Sequence, residues 1–265
     1  MKSCLKNIPT TFFIFFLLLS CSHEKHRARF DHLSLNKHFQ VHQMNLIILY
    51  DHQLNHFFEE PIFENKLKNF LTELNESFQS RIALAPLDDV PKYFLTNDIT
   101  DLPEEYSPHF YKIENIKLEH LQKRYNPEVP IFSNIIKIKQ RLTEKKFFNP
   151  NNDFITLIFS TRDDRHFEKN EAGQKTQNLF SVDLKALSEK SKSDQYILLF
   201  SAKSNCNPNL ETTLNLIQGA QVINRHYLLQ KSHWTNDWGS VDLCKMNLED
   251  LFQKFKKFLK NRKEF

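Results

Sequence analysis

Two of the most apolar stretches of this chain end in acidic residues, and a carboxylate at the end of a buried strand can hold a divalent cation. Met44-Asn45-Leu46-Ile47-Ile48-Leu49-Tyr50 runs into Asp51, and Phe154-Ile155-Thr156-Leu157-Ile158-Phe159 runs into Ser160-Thr161-Arg162-Asp163-Asp164. As parallel strands they would bring both acidic turns to one edge of a sheet, where Mg²⁺ would find oxygen ligands. A second set of groups lies in 87–127: Asp88, Asp89, Asp98, Asp101, Glu104, Glu105 and His109 could supply general acid and base. A third is histidine, with His23, His26, His32, His38, His42, His52 and His56 ahead of residue 57. Zinc binding is the sharp reading of that tract. Only the i,i+4 pairs His38/His42 and His52/His56 approach ligand spacing, and no cysteine or carboxylate completes them. A solvated tether is the better reading.

Several chemistries are excluded by what the chain lacks. Its three glycines, Gly173, Gly219 and Gly239, lie too far apart to build a phosphate cradle. Neither a Gly-x-Ser-x-Gly elbow nor a His-Glu-x-x-His helix occurs, so a hydrolase would have to rest on the acids of 87–127 alone. The formal net charge is +4, of which Lys2 and Lys6 supply two charges, and so weak a basicity is no nucleic-acid footprint.

The elements that must position these groups alternate in type. Met44–Tyr50 reads as a buried strand. After Pro61, the residues Phe63, Leu67, Phe70, Leu71, Leu74 and Phe78 share one helical face. Arg81-Ile82-Ala83-Leu84-Ala85-Pro86 is a second strand. The prolines at 86, 91, 103, 108 and 127 mark 87–127 as a long irregular insertion with room for a hairpin. A helix is predicted over Val129–Lys146, a strand over Phe154–Phe159, a short helix near Val182–Glu189 and a strand over Tyr196–Phe200. Helix over Leu210–Ile217 and extended chain over Val222–Leu229 follow, and a last helix begins near Asn247, a good cap. The alternation predicts an α/β fold, a doubly wound, mainly parallel sheet with helices on both faces.

The N-terminus is organised differently. Lys2 and Lys6 precede the apolar run Phe12–Leu19, far short of the roughly 20 residues that span a bilayer, which is the layout of an export signal. Leu18-Leu19-Ser20-Cys21 resembles the lipobox of bacterial lipoproteins. The resemblance implies cleavage before Cys21, acylation of its thiol and usually of the new amine. Each buried CH₂ contributes about 0.8 kcal/mol, and two or more chains make the attachment stable. Ser22 stands where inner-membrane retention typically shows Asp, which favours the outer membrane. The expected organisation is a signal peptide over 1–20, a His-rich tether over 21–43 and one domain over 44–265. With Cys4 lost and Cys21 lipidated, Cys206 and Cys244 remain, and an exported pair is expected to form a disulfide, the alternative being two buried free thiols.

From Met44 to Lys260 the order of motifs resembles von Willebrand factor A domains, in particular a bacterial lipoprotein subgroup. The apolar strand ending in Asp51, the amphipathic helix and the Arg81-Ile82-Ala83-Leu84 strand form the opening. Phe147-Phe148-Asn149-Pro150 leads into the strand ending at Thr161-Arg162-Asp163-Asp164, and Gly239-Ser240-Val241-Asp242-Leu243-Cys244 precedes the last helix. The family holds Mg²⁺ at an adhesion site opened by Asp-x-Ser-x-Ser. Here that motif is Asp51-His52-Gln53-Leu54-Asn55, with amides in place of both hydroxyls. No Thr occurs near Asn126-Pro127-Glu128, where the family's second loop supplies one. Arg162 takes the place of the third-loop Asp, with Asp163 beside it. The resemblance therefore implies a degenerate site, with Asp51, Asn55 and Asp163 the remaining candidates, and no cofactor. The functional expectation is a non-enzymatic envelope lipoprotein, anchored to the membrane by lipid, that presents an adhesion-type domain to an envelope or surface protein. The alternatives are an envelope hydrolase using the 87–127 acids and a metal carrier using the N-terminal histidines.

Overall fold

The computed structural model describes residues 43–56, 59–96, 111–122, 128–189, 195–201, 214–224, 239–243 and 247–261. Two units are distinguished, residues 1–39 with 261–265, and residues 40–260. Apart from Asn261, everything described belongs to the second.

That unit is built on a six-stranded sheet: β1 (Gln43–Tyr50), β2 (Gln79–Pro86), β3 (Tyr93–Thr96), β4 (Asp153–Ser160), β7 (Gln195–Ser201) and β8 (Ser240–Asp242). Their order is β3-β2-β1-β4-β7-β8, and every neighbouring pair is parallel except β2–β3. Parallel strands are covered on both faces, which explains why β1 and β4 each bury seven of their eight residues. A separate hairpin, β5 (Phe167–Lys169) and β6 (Lys175–Asn178), stands outside this sheet.

Among the described residues five helices follow along the chain: α1 (Glu60–Ser77), α2 (Ile131–Glu144), α3 (Phe180–Glu189), α4 (Leu214–Asn224) and α5 (Leu248–Asn261). One core joins α2, α3 and α4 to the face bearing Ile47, Leu49, Ile158 and Leu199, through Phe132, Ile135, Leu184, Leu216 and Ala220. Opposite, α1 and α5 are knitted to the sheet by aromatic rings. Phe63 stacks on Tyr50 at 5.2 Å, Phe70 on Phe252 at 4.3 Å and Phe159 on Phe200 at 4.5 Å between centroids. The α/β fold with a mainly parallel sheet flanked by helices is thus as predicted.

Three details differ from the sequence reading. The helix expected over Leu210–Ile217 occupies Leu214–Asn224, so Val222 is helical, not extended. Its β-branched residues suggest a strand, but Leu216, Ala220 and Ile223 return on one face and bury it. Residues 225–229 lie outside the described part. Within 87–127, expected to be irregular with room for a hairpin, β3 pairs antiparallel with β2, and short 3₁₀ turns occupy Ile113–Asn115 and Leu118–Leu121. Tyr93 anchors them: its hydroxyl donates to the Lys117 carbonyl (2.8 Å), accepts from the Lys117 amide (3.0 Å) and lies 2.7 Å from His120 Nδ1. The β5–β6 hairpin and β8 were not anticipated.

Close approaches explain two glycines. A methyl group on Gly219 would collide with the ring of Phe132, so this glycine lets α2 and α4 pack. Gly239, at φ +120°, leaves room for the side chain of Asn224.

Candidate functional site

β1 leads to β2 on one side of it, whereas β4 lies on the other, so the direction of winding reverses between β1 and β4. The crevice beyond the carboxyl ends of two such strands is where doubly wound sheets bind ligands. Asp51 and the Thr161–Asp164 turn meet there.

Asp51 continues β1 by donating its amide to the Phe159 carbonyl (2.9 Å), while its own carbonyl accepts from Leu54 (3.0 Å) to start the 3₁₀ turn His52–His56. Its carboxylate is fully buried and its acceptor positions are filled. Oδ1 accepts the Gln53 amide (3.1 Å) and Arg162 Nη2 (3.3 Å), and Oδ2 accepts Arg162 Nε (3.1 Å) and the Thr161 hydroxyl (2.9 Å). The guanidinium fork is bidentate, the strongest common geometry for such a pair. Arg162 is itself 4 % exposed, and Ser160 fixes its backbone by accepting its amide (2.9 Å) and donating to its carbonyl (2.8 Å).

The next two acids turn to helix N-termini, where N–H groups lack partners. Asp163 accepts the amides of Asn215 (3.0 Å) and Leu216 (2.9 Å) in the first turn of α4. Asp164 accepts the amide of Phe132 in the first turn of α2 (2.9 Å), and its carbonyl receives Asn215 Nδ2 (2.8 Å). Burial raises Asp163 above the usual carboxylate range, against the pull of those amides and of Arg165. Burial lifts Asp164 further, to about 7; the Phe132 amide opposes this, and Asp183 and Asp163 add to it. The second oxygen of Asp164 is buried with no hydrogen-bond partner. Asp183, in α3, holds His166 Nδ1 at 2.6 Å.

The two loops that the sequence reading sets side by side do meet at this edge. Where a cation ligand was the candidate role, Asp163 faces two helix amides. For Asp164 one signal lies in the chain: Pro130 precedes α2 without a side-chain cap bond, so the amides of that helix need a remote acceptor. The His166–Asp183 pair has no such signal. Asn55 falls in the 3₁₀ turn, and its side chain lies outside what is described, as do residues 123–127 of the second loop. Glu128 holds Lys169 (2.9 Å) and Lys175 (2.8 Å) of the hairpin. Of the acids in 87–127, Asp89 pairs with Lys92 at 3.4 Å, while Asp98, Asp101, Glu104, Glu105 and His109 lie outside the described residues. So do Cys21, Cys206, Cys244 and the histidines before residue 43. Among the described residues no group of three His, Cys, Asp or Glu side chains could hold a metal ion, and no helix is long and apolar enough to cross a membrane.

No family model and no curated protein matches the chain. Solved structures resemble it distantly. Proximal thread matrix protein 1 from the mussel byssus is 12 % identical with a TM-score of 0.47, over 80 % of this chain and 46 % of that one. The pilus adhesin SpaC from Lactobacillus rhamnosus GG, in an open conformation, is 8 % identical with a TM-score of 0.46, over 83 % of this chain and 30 % of that one. The chain thus spans less than half the length of either structure.

Proposed function

We propose that the chain is a non-enzymatic, envelope-anchored lipoprotein whose von Willebrand factor A-like domain presents the carboxyl edge of its sheet to another protein, without a metal ion. One observation carries this reading. The two loops on which the family builds its adhesion site are adjacent, and Arg162 occupies the carboxylate of Asp51 that a cation would need. A guanidinium bonded to both oxygens supplies the positive charge there and repels a second one. The other support is the order of sequence motifs and the lipobox-like Leu18-Leu19-Ser20-Cys21. Side chains at this edge are available for contact: Val182 and Leu214, in the first turns of α3 and α4, are 52 % and 66 % exposed.

Calorimetry with millimolar Mg²⁺ should show no heat and no thermal stabilisation. A crosslinked partner from envelope extracts should be retained in a chelator and lost with Val182→Asp plus Leu214→Asp. Release of the partner by the chelator, or clear Mg²⁺ binding by the wild type, would overturn the metal-independent reading. Retention by the double variant would move the contact off this edge.

A further inference from the structure

We propose that the opposite, amino edge of the sheet is a basic surface that lies against the anionic headgroups of the bilayer, an inference that rests on the lipid-anchor reading above. The chain enters the domain at this edge. β1 begins at Gln43, level with the starts of β2 and β4, since Gln43 pairs with Gln79 and Met44 with Asp153. From Cys21 to Gln43 the chain can span at most about 75 Å, so of the two edges this is the one nearer the anchor along the chain. The segment also carries Lys25, Arg27, Arg29 and Lys37 against Glu24 and Asp31.

The helices end at the same edge. α2 stops at Glu144 and turns through Lys145 and Lys146 toward β4. α5 runs alongside α1 in the same direction, because Asn247 meets Lys66 while Gln253 and Lys256 meet Glu73. Lys257 is therefore carried toward the end of α1, where the chain enters β2. Arg141, Lys145, Lys146 and Lys257 are all exposed there, against exposed Glu76 and Glu144. At the carboxyl edge the balance is reversed: exposed Lys92, Lys169 and Lys175 and half-buried Arg165 stand against exposed Glu59, Glu168, Glu171, Glu249 and Asp250 and half-buried Asp88, Asp89 and Glu128. An anionic surface therefore distinguishes the two edges, attracting one and repelling the other. Docking in this orientation leaves the carboxyl edge pointing away from the bilayer, free for a protein partner.

The test uses the lipidated protein in vesicles of phosphatidylcholine, alone or mixed with phosphatidylglycerol. Amine labelling is read lysine by lysine. With phosphatidylglycerol, Lys145, Lys146 and Lys257 should label several-fold more slowly than in phosphatidylcholine, while Lys92 and Lys169 are unchanged. The protection should vanish near 1 M salt, where the Debye length is about 3 Å. Arg141→Gln with Lys257→Gln should lower the docked population about 25-fold, roughly fivefold per charge, and expose Lys145. Equal labelling of both edges on anionic vesicles, or protection that survives salt, would overturn the proposal. The mass of the Cys21 peptide is read on the same material. An unacylated Cys21 defeats the anchor, and labelling of that soluble chain mixed with the same vesicles still decides whether the basic edge binds.

Discussion

The two edges of the sheet solve the same problem with opposite chemistry. At the carboxyl edge buried carboxylates do the work: Asp51 holds Arg162, and Asp163 and Asp164 take the first amides of α4 and α2. At the amino edge buried neutral amides do it. Asn45 donates to the Asn149 carbonyl (2.7 Å) and accepts the Asn149 amide (3.3 Å), and Asn224 accepts the Ile197 amide (2.9 Å) and donates to the Ile197 carbonyl. The direction of the chain explains the difference. In a parallel α/β unit each helix starts beyond the carboxyl ends of the strands, presenting unpaired N–H groups and the positive end of its dipole. Acceptor-only carboxylates suit that edge. Helices end at the other edge, where carbonyls need donors, and just past the end of α2 Arg81 donates to the carbonyls of Lys146 and Phe147. There, strand starts also offer both N–H and C=O, which a side-chain amide, donor and acceptor together, satisfies at once.

The largest effect should come from separating Arg162 and Asp51. Removing one partner of a buried ion pair leaves an uncompensated charge and costs about 3–5 kcal/mol. Arg162→Met should therefore lower the melting temperature by roughly 6–20 °C for a domain of this size. The double variant Asp51→Leu with Arg162→Met removes both charges and should recover much of the loss. If Arg162→Met melts within about 2 °C of the wild type, the carboxyl edge does not depend on this pair and the contrast between the edges fails.

The next effect is pH dependence, confined to the carboxylate edge. Asp164 stands at about 7, against an ordinary 3.8. Its contribution to stability is fully present below the unfolded value and is lost as the pH rises through about 7. The difference of about three pH units bounds the loss at about 4 kcal/mol. Asp163, also raised, acts in the same direction. Glu64 opposes them at lower pH: despite burial its carboxyl is lowered, by the Lys68 hydrogen bond, the Leu118 amide and the charge of Lys117, so its contribution fades as the pH falls. Melting curves should therefore show lower stability at pH 8.5 than at about pH 5.5. Asp164→Asn keeps an acceptor for Phe132 and should flatten the curve above pH 6. An unchanged slope in that variant would remove Asp164 from the explanation.

How much of this could be read in the chain depends on which interactions are local. β1, β2, β4, β7 and α1 were legible because each carries a run or stripe of apolar residues long enough to show its period. The meeting of Asp51 with Arg162 was legible too, since both follow buried parallel strands and the substitution of Arg for an acid is visible in the turn. The rest depends on distant partners. α4 was shifted because its β-branched end mimics a strand, and only burial against β7 settles it. The caps by Asp163 and Asp164 span 52 and 32 residues of sequence, which no local motif encodes. β8 has only three residues, too few for a period to show.

The smallest effect tests the amide edge. Among the described residues β8 pairs with Leu199, Phe200 and Ser201, so Ile197 projects its N–H and C=O past the start of β8. Asn224, at the end of α4, takes both and stands in for the missing residue of the strand. Gly239 leads into β8 just beside it, its carbonyl accepting the Leu199 amide (2.8 Å), and any side chain there would strike the Asn224 amide. Asn224→Ala leaves a buried donor and acceptor unsatisfied and should cost about 1–3 kcal/mol. Asn224→Asp keeps the acceptor, loses the donor and sets a carboxylate against the Ile197 carbonyl. It should be at least as damaging at neutral pH and recover in acid, where a protonated carboxyl can donate again. The alanine variant should lose the same stability at every pH, since no titrating group is involved. A loss that changes with pH in Asn224→Ala would mean that the amino edge is coupled to the buried acids of the other, and that the two edges are not independent.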